Sequence, residues 1–124
     1  MTAMQQAQAA YRTAATPIRT PRSAEYEAFA RITGRLKSAD AANGRFQDMA
    51  GAIHENRRLW AILAADVAGD DNPLPKELRA RILYLAEFTR QHSGKVLRAG
   101  AKAQPLIEIN TAIMRGLRAG AGAP

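Results

Sequence analysis

Apolar side chains in this chain recur every three or four residues and almost never alternate, which is the period of a helix and not of a strand. Thr20 reads as a helix N-cap with Pro21 at the first helical position, where a missing N–H costs nothing. Glu25 and Glu27 suit the positive end of that helix, which is expected to reach about Ala41. Its apolar stripe is Tyr26, Phe29, Ile32 or Thr33, and Leu36. "ANGRF" (42–46) is a turn signal with Asn43-Gly44 as the breaker. A second helix follows over 45–68, with a stripe of Phe46, Met49, Ile53, Trp60, Leu63 and Val67 and a gap at 56–57. Gly69 is its expected terminator, and "DDNPLP" (70–75) its loop. Pro75 opens a third helix carrying Leu78, Ile82, Leu85 and Phe88 or Thr89, which Gly94 in "QHSGK" (91–95) is expected to kink or end. A last helix restarts at Pro105 with Leu106, Ile109, Ile113 and Leu117 on one face. Ile107 and Met114 widen that face beyond a single seam, suggesting apolar surplus.

Upstream, residues 3–14 form at most a weakly apolar amphipathic helix, and the closing "AGAGAP" has nothing to bury. Few β-branched residues and much Ala, Leu, Arg and Glu agree with the periodicity. The expected architecture is all-α: a small bundle of four to five helices over residues 20–118, preceded by a mobile arm (1–19) and followed by a disordered tail (119–124).

Composition adjusts this picture in three places. A chain of 124 residues fits one domain. It has no cysteine, which rules out disulfides, thiol nucleophiles and Cys-based zinc sites and suits a reducing cytoplasm. No apolar run approaches the roughly 20 residues of a membrane helix, and Gln5, Gln6, Gln8 and Arg12 interrupt any secretory core. The arm lacks acidic residues before Glu25, as organellar transit peptides do, but reads more simply as an Ala/Gln-rich extension. The net charge of +7 invites a nucleic-acid reading that its distribution opposes. Residues 1–58 carry nine Lys/Arg against five Asp/Glu, and residues 59–124 nine against six, so no block or unbroken cationic face exists. Nor do the seven aromatics interleave with basic residues as a stacking platform requires.

Catalytic chemistry finds little to work with. His54 and His92 sit in no metal-ligand spacing, and Asp70-Asp71-Asn72 lacks the later Gly and Glu of a calcium loop. No GxxxxGK[ST] or GxGxxG is present, and Ser23, Ser38 and Ser93 have no adjacent base. The chain reads as a non-enzyme without cofactor or metal. Two asparagines stand out instead. Asn56 lies between Ile53 and Trp60 within an apolar stripe, and Asn110 repeats the anomaly between Leu106 or Ile107 and Ile113 or Met114. A buried unpaired amide costs about 1–3 kcal/mol, so each either bridges helices and fixes their register or faces a partner. Trp60 is correspondingly a core residue or the anchor of a groove for another protein's helix.

Three stretches in order, "NRRLWAILAADVAG" (56–69), "LPKELRARILYLAEF" (74–88) and "LIEINTAIMRGL" (106–117), resemble the flagellar biosynthesis regulator FlaF family. The resemblance covers residues 45–118 closely and "TPRSAEYEAFARIT" (20–33) more loosely, and the Ala/Gln arm before Tyr11 departs from the family's opening. It rests on Asn56, Arg57, Arg58, Leu59, Trp60, Leu63, Asp66, Leu74, Pro75, Leu78, Ile107, Glu108, Asn110 and Ile113. The resemblance implies a cytoplasmic, non-enzymatic, all-helical protein that binds flagellin subunits in a chaperone-like way. Such a protein promotes flagellin synthesis or export after transcription, against the repressor FlbT. Candidate partner-binding residues are Asn56, Arg57, Trp60, Ile107, Asn110 and Met114. Direct binding of the flagellin message, prompted by Arg57-Arg58 and net charge, and an adaptor role toward an FlbT-like partner are the alternatives.

Overall fold

The computed structural model describes the backbone of residues 21–41 and 45–122, and the side chains of 24–41 and 45–117. The expectations for the arm at 1–19, for the cap at Thr20 and for the turn at Asn43-Gly44 lie outside these residues, while the last helix runs on to Gly122, into the stretch 119–124 expected as a disordered tail. Four helices make up the described chain: α1 (Pro21–Ala41), α2 (Phe46–Ala68), α3 (Lys76–Ala99) and α4 (Gln104–Gly122). They pack in a ring. α1 lies against α2 and α4, and α3 likewise touches α2 and α4, so α2 and α4 face each other across the diagonal.

Local chemistry sets the boundaries. α1 opens on Pro21, whose fixed φ suits a first helical turn. α2 opens on an extended Arg45 whose carbonyl accepts from the N–H groups of Asp48 and Met49. Gly69 ends α2 as expected but not in the left-handed region: its φ is −70° and its ψ 143°. The loop is shaped by Asn72 instead, whose Nδ2 donates to the Asp66 carbonyl at 3.1 Å while its Oδ1 accepts from Leu74 N–H at 3.0 Å. Arg79 reaches back from α3 to the Gly69 carbonyl at 3.2 Å.

The break expected at 91–95 does not occur, and α3 runs on to Ala99. Ser93 and Gly94 are buried, and Ser93 Oγ donates to the Thr89 carbonyl at 2.6 Å, inside the helix. The Arg98 guanidinium lies across Gly94, within 2.6 Å of where a β-carbon would stand. Packing holds this glycine in the helix. The stop comes at Gly100, with φ 68°, where the N–H groups of Gly100 and Ala101 both point at the Lys95 carbonyl.

Two apolar clusters fill the interior. One gathers Phe29, Ile32, Leu59, Trp60, Val67 and Ile82, and the other Leu36, Ala52, Ile53, Val96, Leu106 and Ile107. Phe29 meets Trp60 edge to face, with ring centroids 5.7 Å apart. On each helix a buried polar residue falls between members or neighbours of the two clusters: Thr33, Asn56, Thr89 and Asn110. Two expected stripe positions are not core. Phe46 is 64% exposed and Leu78 41%, because each sits at the first turn of its helix, beyond the reach of the neighbouring helices.

Candidate protein-docking site

The six residues singled out by sequence divide between the interior and one groove. Asn56, Trp60, Ile107 and Asn110 are all buried. Asn110 Oδ1 accepts from Trp60 Nε1 at 2.9 Å, and its Nδ2 donates to Asn56 Oδ1 at 2.7 Å. This network spans the bundle diagonal from α4 to α2, so the two asparagines bridge helices. Asn56 Nδ2 is left buried without a partner among the described residues. Ile107 belongs to the second cluster, and Met114 packs half-buried against the first. The folded bundle closes Asn56, Ile107 and Asn110 to a partner docking from outside. Arg57 alone of the six is half-buried at a helix–helix groove, and Trp60 forms part of that groove's floor.

The apolar surplus expected on 106–117 is taken up internally. Leu106 and Ile107 are buried, and Ile109, Ile113, Met114 and Leu117 pack on the first cluster. α4 can use so broad a face because it meets α1 directly and reaches α2 across the diagonal. Apart from Phe46 at the start of α2, the large uncovered apolar groups among the described residues lie on α3 instead, at Leu78, Leu83, Tyr84 and Phe88. Phe88 stacks on His92, and His92 Nε2 sits 2.7 Å from the Lys102 carbonyl.

Between α2 and α3 lies an open cavity of about 360 Å³. α2 lines it with Arg57, Trp60, Ala61 and Ala64, and α3 with Leu83, Ala86, Glu87, Thr89 and Arg90. Positions 57, 60, 61 and 64, like 83, 86, 87 and 90, repeat at three and four residues, so each set forms one ridge of its helix. Alanines at 61, 64 and 86 leave a trough where longer side chains would interdigitate. Arg57 Nη2 crosses to the Arg90 carbonyl at 3.1 Å, while its buried Nε has no partner among the described residues.

Arg90 grips Glu87 with two bonds, Nε to Oε2 at 3.0 Å and Nη2 to Oε1 at 2.6 Å, and Gln91 adds a third at 3.0 Å. The Arg90 hydrogen bond, then that of Gln91, holds the Glu87 carboxyl down to about 2 from 4.5. The groove therefore offers carbon surface, one neutralised ion pair and one arginine with spare donors. Apolar side chains and a carboxylate are what it can hold. Leu83, Ala86 and Arg90 were not among the sequence candidates. The sequence signal available for them was the pair of alanines at 61 and 64 beside Trp60 and the single Ala86 among the larger residues of 83–90.

Among the described residues no group of three or more His, Asp or Glu gathers as a metal site would need, and no helix is long and apolar enough to cross a membrane. A family model described as flagellar protein FlaF matches residues 7–117. No curated protein and no solved structure matches the chain.

Proposed function

Because the chain belongs to the FlaF family of flagellar proteins, we propose that it acts in the cytoplasm as a non-enzymatic, chaperone-like binder of flagellin, promoting flagellin synthesis and export. An unassembled flagellin monomer must keep the apolar faces of its helices covered until it polymerises. The observation that supports this reading is the uncovered carbon surface of α3, at Leu78, Leu83, Tyr84 and Phe88, next to a trough open to solvent. Surface of this kind on a small bundle suits the apolar face of another protein's helix.

The test mixes purified protein with flagellin monomer and follows the mixture by size-exclusion chromatography and isothermal calorimetry. Co-elution at fixed stoichiometry is expected, with a negative heat-capacity change from buried apolar area. Absence of binding by both methods would overturn the proposal.

A further inference from the structure

We infer that the α2–α3 groove seats a single amphipathic helix whose buried edge carries apolar side chains and one carboxylate paired with Arg57. This rests on the flagellin-binding reading and adds to it the place and the chemistry of contact. The walls of the trough are Ala61 and Ala64 on one side and Leu83 and Ala86 on the other. Residues 57–64 span two helical turns, about 10 Å, which matches apolar groups spaced i, i+3 or i+4, and i+7 on an incoming helix. A volume near 360 Å³ lies at the small end of ligand pockets and admits a few side chains rather than a cofactor.

Charge selects the occupant. A guanidinium has five N–H donors. Arg57 directs one to the Arg90 carbonyl and keeps a buried Nε–H unpaired among the described residues. Among the described residues the one acid lining the groove, Glu87, is already held by Arg90 and Gln91. The rim thus carries one uncompensated positive charge among the described residues, in a chain whose net charge is +7. A carboxylate at the edge of the incoming helix compensates it with a charge-assisted hydrogen bond.

Two variants test this on the full chain, with helix content checked by circular dichroism and oligomeric state by light scattering. Ala61 is exposed, so Ala61→Glu places a carboxylate in the trough without entering the core. Arg57→Gln removes the charge and keeps an amide donor. Against flagellin monomer, Ala61→Glu is expected to weaken affinity by about tenfold or more, since the new side chain fills the trough and its carboxylate takes Arg57, one turn away, from the incoming helix. Arg57→Gln should weaken it by a few-fold and flatten its dependence on salt.

If the wild type binds flagellin and both variants bind equally well, the groove is not the seat, and the proposed function survives without it. If only Arg57→Gln binds like the wild type, the carboxylate partner is wrong. If the wild type does not bind, both readings fall. A self-associated wild type that Ala61→Glu renders monomeric would put a second copy of this chain in the groove and overturn the inference.

Discussion

Asn110 has both ends of its amide engaged inside the bundle, accepting from Trp60 and donating to Asn56. Truncating it leaves a buried indole N–H and a buried amide oxygen unpaired, each worth about 1–3 kcal/mol. Asn110→Leu is therefore expected to destabilise the protein by about 2–5 kcal/mol in urea denaturation. Adding Asn56→Leu should cost less than the sum of the two single changes, because the second removes an orphan created by the first. Additive losses would mean that the pair is not coupled. The two asparagines were legible as anomalies from their place in apolar stripes. That they meet each other, and that Trp60 joins them, was not, since 54 residues separate the pair in sequence.

At the scale of the element, α3 shows how packing overrides local propensity. A helix-interior glycine costs about 1 kcal/mol, yet Gly94 sits in an unbroken helix under the Arg98 side chain. Gly100 does what its sequence context suits, adopting φ 68° with open space around it. Gly100→Ala should cost about 1 kcal/mol from backbone strain alone, read as a fall in thermal midpoint of several degrees.

Glu87, on the same helix, gives a pH prediction. Its carboxyl titrates near 2 in the folded chain against 4.5 ordinarily, so the charged form is favoured by folding. Whatever the Glu87–Arg90 pair contributes is thus complete above about pH 4.5 and lost as the pH falls toward 2. A carboxyl-carbon titration by NMR should place its midpoint well below 4.5, and Arg90→Ala should move it back up. Across elements, Glu55 of α2 bonds Arg31 at 3.1 Å and also Arg35 of α1, on a face exposed enough that such pairs contribute at most about 1 kcal/mol.

The whole molecule decides which apolar residues count. Phe29 and Phe46 are identical in chemistry and both belong to helical stripes, but one is 1% exposed and the other 64%. Phe29→Ala is expected to cost about 3–5 kcal/mol, and Phe46→Ala to stay within about 0.5 kcal/mol, in the same denaturation experiment. Comparable losses at the two sites would contradict the placement of α2 in the ring. The same ring explains the reversal between α3 and α4: the apolar positions of α4 turn inward onto the two clusters, while α3 spreads its own around the helix and keeps Leu78, Leu83, Tyr84 and Phe88 uncovered. Sequence periodicity measures how much apolar surface a helix has, not how many neighbours it will find.

The sequence by itself determined the helical class, the start of α1, the ends of the first two helices and most residues of both clusters, though not Ala52, Leu59 or Val96. Those features follow from period, proline and glycine chemistry acting within a few residues of chain. Tertiary structure alone decided the diagonal pairing of Asn56, Trp60 and Asn110, the absorption of the α4 surplus and the opening of the α2–α3 groove. Each depends on which helices become neighbours, and that is set by burying all the stripes at once, a condition no single segment contains.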